Sequence, residues 1–478
     1  MTSTAQTRLI VAGLFLLSLH DGIAVLSRAF IYGQGHSQRP ILLFLVLYAS
    51  AFTVYAWTVS GLLRNVLQGA SLPPPSITFK EPRPSPLTFI LGFALLFRAI
   101  LLFSNPIQED DFYRYLWDGK VVASGLNPYG VAPSAVEEKK EGTQQYVAIT
   151  ERDEVFTLIL ARVNHPWAPT IYPPLAQGIF GIAALVAPGS LIGLRILFLA
   201  FDLSCCLLII SLLRRSNLPA CLVVVYAWSP LVVKEIMNSA HYDVAPTFFL
   251  LLALVALLHR WWKSAFVSLA LAALGKLYPL LLVPLFLWRM KASAGWSRAV
   301  GGVVILSAVI LAGYAPFLGA GAGLWQGTVM FAEQWQTNSF LFPLLALLAW
   351  DRWAANGVVG VLLIVTLFIV PRRHDLTDDR SFLWGNFVVL GVLFLLSPVG
   401  DPWYFVWLTP FLCFFPAPSW ILLSGLLGLY YMSFYFMYHD MKETFRWIVW
   451  LEYLPFYGLL IQEWCSARSA RESLSPAE

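Results

Sequence analysis

The chain has 478 residues, of which 58% are hydrophobic and 12% are charged. A soluble domain carries about 25% charged residues, so the composition excludes a soluble protein and predicts one that crosses a membrane many times. The net charge of +4 is small and the sequence has no basic stripe, which argues against nucleic acid as a partner.

Apolar runs long enough to cross a hydrocarbon core of about 30 Å recur along the whole sequence. They predict an all-α polytopic membrane protein, a bundle of about 11–14 transmembrane helices, with one domain over residues 1–478. The first run, Leu9 to Leu26, lacks a small-residue cleavage site, so we interpret it as a retained helix. The proline-rich stretch from Ser71 to Pro86 predicts an extended linker.

Residues 105–172 predict a large outer loop that carries the catalytic residues. Its part 105–170 holds ten acidic residues against six Lys and Arg, and basic residues favour the cytoplasmic side. Within it, residues 153–163 have an amphipathic pattern that predicts a helix lying in the membrane interface. This topology requires that residues 173–213 cross the membrane once and that residues 264–289 return to their own side.

An acidic cluster, Glu109-Asp110-Asp111, begins this loop directly after an apolar run. Charged groups are costly in hydrocarbon, so the cluster belongs at the membrane surface or in a water-filled cavity. Adjacent acids raise one another's pKa, which suits a general base acting on a hydroxyl. The alternative is a solvated helix start. If Asp111 begins a helix, Arg114 and Asp118 share its face, and Arg114 pairs with an acid or binds a phosphate.

Two proline motifs follow. Pro128 favours an extended conformation at Asn127, and Pro174 suits the first turn of a helix after Tyr172. Taken alone, these residues and Tyr129 are more simply interpreted as a turn and a helix start.

Later in the chain, His241 and Asp243 are separated by one residue and could orient a sugar or bind a phosphate. Polar residues also mark membrane exits, so this pattern alone leaves both interpretations open. Lys276 lies in an apolar stretch, where it either snorkels to the surface or pairs with an anion such as phosphate. Trp403 and Tyr404 predict an aromatic belt or a platform for a sugar ring.

Taken in order, these motifs resemble the GT-C superfamily of polyprenyl-phosphate-sugar-dependent glycosyltransferases. They are most similar to bacterial α-mannosyltransferases that use polyprenyl-phosphate-mannose. The residues that carry the resemblance are Asp110-Asp111-x-Tyr113-Arg114-Tyr115-x-Trp117-Asp118-Gly119, Gly125-x-Asn127-Pro128-Tyr129, Tyr172-Pro173-Pro174, His241-x-Asp243, Lys276-x-x-Pro279 and Pro402-Trp403-Tyr404.

The resemblance implies a mannosyltransferase that moves a hexose, mannose in the nearest relatives, from a polyprenyl phosphate to a glycan or glycolipid. Asp110 or Asp111 would be the base of a single inverting displacement. Asp243 would contact the acceptor or serve as a second acid. The other residues implied in binding the substrates are Arg114, His241 and Lys276 for the phosphate, and Tyr115, Asp118, Asn127, Tyr129, Tyr172, Trp403 and Tyr404.

Some relatives need a divalent cation and others do not, and Glu109, Asp110 and Asp243 could ligate one here. The resemblance also implies a bacterial inner-membrane protein whose active site is on the outer face. Membrane lipid would be the remaining partner.

Two other functions fit a membrane protein with polar loops. A transporter or flippase of lipid-linked saccharides would more often show internal repeats and charges near mid-membrane, whereas here the polar clusters gather at one face. An assembly subunit of an envelope complex would not need acids, a histidine and a lysine on one side.

Overall fold

The computed structural model describes residues 3–69, 85–441 and 444–474, and most of these residues are helical. Within these ranges the structure has no β-strand, only an isolated bridge between Thr337 and Val399. The α-helices are α1 (Ser3–Leu26), α2 (Ile41–Gly69), α3 (Pro86–Leu102), α4 (Asp111–Ala123), α5 (Pro133–Glu137), α6 (Gln144–Arg152), α7 (Glu154–Leu160), α8 (Pro174–Val186), α9 (Leu191–Arg215), α10 (Val224–Ala227), α11 (Pro230–Val233), α12 (Val244–Leu258), α13 (Trp262–Gly275), α14 (Val283–Ala294), α15 (Trp296–Tyr314), α16 (Gly323–Gln334), α17 (Leu341–Ala349), α18 (Arg352–Arg373), α19 (Asp379–Leu396), α20 (Thr409–Leu412), α21 (Pro418–Leu426), α22 (Met432–Tyr438) and α23 (Phe445–Leu474).

Short 3-10 turns and one π turn connect or extend these helices. The 3-10 turns are Ser27–Ala29, His36–Gln38, Ala220–Val223, Tyr278–Leu282, Ala315–Ala320, Pro402–Trp407 and Leu427–Tyr431, and the π turn is Lys234–Asn238. Nearly all of the predicted linker from Ser71 to Pro86 lies outside the described residues. Helix α3 begins directly after it, where the Ser85 hydroxyl accepts the Thr88 N–H and Pro86 occupies the first helical position.

The described residues contain seven helices that are long and apolar enough to cross a membrane. A pair bent by 56°, Ala220–Ala227 with Pro230–Asn238, would make one more. The prediction of an all-α polytopic membrane protein is confirmed. The number of crossings, about 11–14, stays a prediction, because four shorter apolar helices could cross only part of the membrane: Pro86–Leu102, Pro174–Val186, Val244–Leu258 and Trp262–Gly275.

A buried charge pair locks together three helices near the acidic cluster. Arg98 of α3 pairs with Asp202 of α9, and both side chains are fully buried. Arg98 Nη1 donates to the Ala227 carbonyl at 2.8 Å, and the Tyr226 hydroxyl donates to Asp202 at 2.8 Å. A charge away from water is stable only when it is paired and hydrogen-bonded, so this network fixes α3, which leads into the acidic cluster.

Two cavities with charged residues in their walls lie at opposite ends of the bundle. The acid cavity includes Asp111, Asp243 and Lys276, and the arginine cavity includes Arg215, Arg260 and Arg289. Helix α12 begins after Asp243 at the acid cavity and ends with residues 257 and 258 at the arginine cavity.

The cavities also show the path of residues 173–213 and 264–289, the two stretches on which the predicted topology depends. Trp262 and Ala292 both line the arginine cavity, whereas Lys276 between them lines the acid cavity. Residues 264–289 therefore run from the arginine cavity to the acid cavity and back, as the predicted topology required. Along α9, Arg195 contacts the segment before the acids and Arg215 lines the arginine cavity, so the region 173–213 runs between the two ends once.

The predicted outer loop contains helices α4 to α7. The interfacial helix predicted at residues 153–163 is α7, which is shorter and whose apolar residues point in two directions. Phe156, Ile159 and Leu160 are buried against the protein, whereas Val155 and Leu158 are more than half exposed. Part of the apolar surface of α7 therefore packs on the protein and part is exposed, which fits a position between protein and lipid. The placement in the membrane interface stays a prediction.

Candidate active site

The acid cavity has a volume of about 690 Å³ and is built from segments far apart in the sequence. It brings together residues from the outer loop, from the start of α12, from the turn after α13 and from the turn after α19. The predicted site residues that line it are Glu109, Asp110, Asp111, Arg114, Tyr115, Tyr172, Asp243, Lys276, Trp403 and Tyr404.

The segment before the acids is held mainly through its backbone. Arg195 Nη1 donates to the carbonyl of Leu102 at 2.9 Å and to that of Ser104 at 2.6 Å. Asn238 donates to the carbonyl of Asn105 at 2.7 Å and accepts the N–H of Ile107 at 3.0 Å. Arg195 also donates to the carbonyl of Asn238, so one arginine and one asparagine set the path of the chain into the cluster.

Helix α4 begins at Asp111, as the sequence predicted, and Asp110 precedes it without capping it through its side chain. A single amide joins the two carboxylates: Asn164 Nδ2 lies 3.0 Å from Asp110 Oδ1 and 2.5 Å from Asp111 Oδ1. Burial, and next the charge of Asp111, raises the pKa of Asp110 to about 7. At neutral pH Asp110 is therefore a group that can both take up and release a proton.

His241 lies behind Asp111, where its ring stacks on Trp403 at 4.0 Å between centroids with 14° between the planes. Its Nδ1 is 3.8 Å from Asp111 Oδ2, and its Nε2 is 3.5 Å from Glu235 and 3.9 Å from Glu109. Neither ring nitrogen has a hydrogen-bond partner. Burial raises the pKa of Glu109 well above its usual value, so this carboxyl group favours its neutral form.

Lys276 and Asp243 form an ion pair in the cavity wall, with Nζ 2.5 Å from Oδ1. Trp407 Nε1 donates to the same carboxylate oxygen at 2.8 Å. Lys276 Nζ also lies 3.9 Å from the centre of the Tyr404 ring, a cation–π distance. The Trp407 ring centre is 5.0 Å from the same Nζ, so the ammonium group lies at the cavity surface with one anion and two aromatic rings beside it.

An aromatic stack continues from this lysine. Tyr404 stacks on Trp407 at 4.7 Å and Trp407 on Tyr278 at 4.0 Å, with planes 20° and 10° apart. Trp403 and Tyr430 line the cavity as well. Such a wall offers flat apolar faces to a sugar ring.

Asp401 is a further acid in the cavity, and the Oδ1 atom of its buried carboxyl group has no hydrogen-bond partner. Burial raises its pKa to about 7. Its loop is fixed by neighbouring backbone groups: the Gly400 N–H donates to the Thr337 carbonyl at 2.9 Å, and the Thr337 N–H donates to the Pro398 carbonyl at 3.1 Å. Asp401 directly precedes the Pro402-Trp403-Tyr404 motif, but we did not predict a role for it.

Four predicted site residues lie outside the lining of the cavity. Asp118 is buried and accepts from Gln177 at 3.3 Å. Asn127 caps its own turn and donates to the Phe317 carbonyl at 2.9 Å. Tyr129 donates to the Tyr172 carbonyl at 2.7 Å. The fourth of these residues is His241, whose ring stacks on Trp403. Asp118, Asn127 and Tyr129 therefore shape the walls, which is the turn-and-helix interpretation left open above.

Arg114 lines the cavity, but its Nη2 group holds the loop that carries Asn164. It donates to the carbonyls of His165 and Ala168, each at 3.0 Å, and to that of Asn164 at 3.3 Å. Arg114 thereby positions the amide that bridges the two acids.

Backbone conformations that side chains rarely adopt cluster around the cavity. Gln108, His165, Ala240 and Asn338 all have positive φ angles, between 45° and 68°. Gln108 and His165 line the cavity, Asn338 follows the lining residue Thr337, and Ala240 precedes His241. Such conformations persist where the surrounding structure holds them for a function.

Sequence reasoning missed Asn164, Trp407, Glu235 and Arg195. Trp407 follows Tyr404 by three residues, so the helical spacing could have placed it on the same face. Asn164 and Arg195 carry no local signal, because their partners lie dozens of residues away.

The acids that the sequence offered as metal ligands are not arranged as a set. Among the residues that the structure describes, no three His, Cys, Asp or Glu side chains are placed to hold a metal ion. The Asp243 carboxylate is already bound by Lys276 and Trp407. The predicted ligands Glu109, Asp110 and Asp243 therefore do not fit a common cation.

The geometry can be compared with known proteins. Residues 4–292, more than half of the chain, match the sequence model of the MptA/B family, described as alpha-(1->6)-mannopyranosyltransferase, N-terminal domain. The chain belongs to this mannosyltransferase family. No curated protein and no solved structure gives a significant match.

Membership of the mannosyltransferase family confirms the resemblance found in the sequence, and the chain is a membrane glycosyltransferase. The matched region contains the acidic cluster Glu109-Asp110-Asp111 together with Asn164, His241, Asp243 and Lys276. The aromatic residues at 403–407 lie beyond it, so the cavity combines the family domain with a wall from the C-terminal part of the chain.

Proposed function

We propose that the chain transfers mannose from a polyprenyl-phosphate donor to the 6-hydroxyl group of a sugar acceptor bound in the acid cavity. The observation that carries this proposal is the placement of two acids joined by one amide in the same cavity as Lys276 and a stack of aromatic rings. The acids suit removal of a proton, the lysine suits a phosphate, and the rings suit a sugar.

Asp111 is the base in this proposal. Its Oδ1 is held by Asn164, and its side chain is a quarter exposed, so it is reachable from the cavity. The acceptor hydroxyl gives its proton to Asp111 while its oxygen bonds to the anomeric carbon, and the bond from that carbon to the phosphate oxygen breaks. The bonding electrons leave with the phosphate.

The displacement fixes the stereochemistry of the donor. A single displacement inverts the anomeric carbon, and the family description specifies an α-linked product. The donor is therefore β-linked, and the lipid phosphate is the leaving group.

Lys276 holds the leaving phosphate. A lysine ammonium group is a compact charge that suits phosphate, and this one can turn from Asp243 toward the cavity. When it does so, Asp243 keeps the hydrogen bond from Trp407, so a buried carboxylate is not left without a partner. Arg114 and His241, which the sequence also suggested for the phosphate, act as positioning residues behind the acids.

The acceptor is a glycan or glycolipid, and the acid cavity faces the outer side of the bacterial inner membrane. The arginines at the opposite end of the bundle, Arg215, Arg260 and Arg289, support this orientation, because Lys and Arg favour the cytoplasmic side. Because the cavity lies at one end of the bundle, the lipid-linked donor can reach it from the membrane.

The test uses purified protein in lipid nanodiscs with radiolabelled polyprenyl-phosphate-mannose and a crude membrane-glycan acceptor. Asp111→Asn is expected to lower transfer by at least about 100-fold, the usual contribution of a general base. Glu138→Gln removes an exposed acid of the same outer loop and should leave transfer unchanged.

Two results would contradict the proposal. Full transfer by Asp111→Asn with loss in Asp110→Asn would move the base to the other acid. Movement of the lipid between leaflets without transfer to any acceptor, with mannose, glucose or arabinose donors, would favour a flippase.

A further inference from the structure

The arginine cavity is a second polar cavity, with a volume of about 480 Å³, and the proposed transfer does not use it. Arg195 and Arg215 are 20 residues apart on α9, which is about 30 Å along a helix. The first contacts the segment before the acids and the second lines the arginine cavity. The two cavities are therefore separated by about the thickness of a hydrocarbon core.

The lining of the arginine cavity has an excess of positive charge. Arg215, Arg260 and Arg289 face one acid, Asp379. Asp379 pairs with Arg215 Nε at 3.0 Å and also with Arg289. Arg289 Nη1 donates to the carbonyls of Leu376 at 2.8 Å and Asp378 at 3.1 Å. One carboxylate thus holds two arginines in place, and the residues that line the cavity carry three positive charges against one negative charge.

Arg260 is the third arginine, and within the described residues it makes no ion pair. Its φ angle is 62°, the left-handed conformation in which a helix commonly ends with glycine. Its N–H donates to the Leu257 carbonyl at 3.0 Å, and the next N–H, of Trp261, donates to the Ala256 carbonyl at 2.8 Å. Glycine would close α12 at a lower conformational cost, so an arginine at this position suggests that its side chain is used.

The surroundings of the arginine cavity are those of a membrane surface. Trp261, Trp288 and Trp296 are 58%, 45% and 66% exposed, and exposed tryptophans gather where hydrocarbon meets the lipid head groups. Lys291 Nζ lies 4.4 Å from the Trp296 ring. Basic pockets between helices at this depth bind anionic head groups. Ser293 and Thr377 add hydroxyl groups to the lining.

We propose that the arginine cavity binds a phosphate group at the membrane face opposite the acid cavity, supplied by the head group of an anionic phospholipid. Arg260 contacts the phosphate directly, and Arg215 and Arg289 are held beside it by Asp379. The site is independent of mannose transfer, so it can be tested by binding alone.

The experiment measures the thermal stability of the full chain in a neutral detergent while phosphatidylglycerol is added, with phosphatidylcholine as the zwitterionic control. The variant is Arg260→Ala, because Arg260 is exposed and its loss leaves no buried acid without a partner. Its matched control is Arg214→Ala, which removes another exposed arginine that does not line the cavity. We expect phosphatidylglycerol to raise the Tm of the wild type and Arg214→Ala, and the half-effective lipid concentration to increase about tenfold or more in Arg260→Ala.

Two outcomes would overturn the site. Equal lipid dependence in both variants would mean that Arg260 only ends α12. Equal effects of the two lipids would mean that the cavity does not select the net negative charge of an anionic head group. A further arm adds glycerol phosphate without lipid. If it stabilises the wild type as strongly as phosphatidylglycerol and needs Arg260, the phosphate site stands and the lipid source is wrong.

Discussion

At the scale of single residues, Asn164 gives the candidate site its particular chemistry. Two adjacent carboxylates repel each other, and one amide that donates to both keeps them together without adding a charge. The raised pKa of Asp110 follows from burial beside that second acid. The pair therefore changes its total charge near neutral pH.

This titration predicts the pH dependence of transfer. Asp110 is protonated below about pH 7 and ionised above it, and its negative charge attracts the proton that leaves the acceptor hydroxyl. We expect kcat/KM to rise between pH 6 and pH 8 in the wild type. In Asp110→Asn this rise should disappear, and the rate should stay near the low-pH value of the wild type.

A pH–rate profile of both proteins checks this prediction. Burial also raises the pKa of Asp401 to about 7, so an unchanged rise in Asp110→Asn would assign the titration to Asp401.

Lys276 allows a second prediction at this scale. Lys276→Gln should raise the KM for the lipid donor by about 10-fold or more, because a hydrogen bond to a charged group contributes about 1.5–3 kcal/mol. Lys276→Gln also leaves the buried Asp243 carboxylate without its ion pair. The loss of this ion pair can itself unfold the protein.

The double variant Lys276→Gln/Asp243→Asn removes both charges. It separates the loss of donor binding from the loss of stability. We expect it to keep the Tm of the wild type within a few degrees and still to bind the donor weakly. Recovery of the wild-type KM in the double variant would mean that the ion pair is structural. Lys291→Gln, which changes a lysine outside the acid cavity, is the control.

At the scale of helices, α4 and α8 are packed unusually closely. A Cβ atom at Gly119 of α4 would overlap the carbonyl oxygen of Phe180 on α8. Both helices carry residues of the acid cavity or its walls, because α4 begins at Asp111 and α8 follows Tyr172. The distance between them is therefore set by the absence of a side chain at one position.

Gly119→Ala should push the two helices apart and destabilise the protein by about 1–3 kcal/mol, the usual cost of overpacking. The matched control is Gly178→Ala on α8, where a Cβ atom would meet nothing within 4 Å. Thermal unfolding in detergent checks the pair. Equal Tm values for the two variants would contradict this packing.

The sequence predicted the helices of this protein better than the contacts between distant segments. Apolar runs predicted the helices, and the start of α4 at Asp111 followed from an acidic first turn. Asp111, Asp243 and Lys276 were selected by the cost of placing charge beside apolar residues, and they do share one cavity. Asn164 and Arg195 could not be found, since their hydrogen bonds join segments whose proximity exists only after folding.

At the scale of the whole molecule, the two cavities at opposite ends make sidedness testable. The proposal places the acid cavity outside and the arginine cavity in the cytoplasm. Cys465 is exposed and three of the other four cysteines are buried, so Cys465→Ser lowers the background for cysteine labelling.

In that background, Glu138→Cys in the outer loop should react with an impermeant maleimide in intact spheroplasts. Arg214→Cys, beside the arginine cavity, should react only after the membrane is permeabilised. The reverse pattern of labelling would contradict the proposed orientation.

The hydrogen bonds from Arg195 and Asn238 to the segment before the acids have a consequence for how this protein can change over evolutionary time. Three of those bonds end on the carbonyl groups of residues 102, 104 and 105, and in a fourth the backbone N–H of residue 107 donates to Asn238. Every amino acid has the carbonyl group, and every one except proline has the N–H. The side chains of that segment can therefore change by mutation without moving Asp111, the proposed base. Selection should act instead on two distant residues that never touch a substrate.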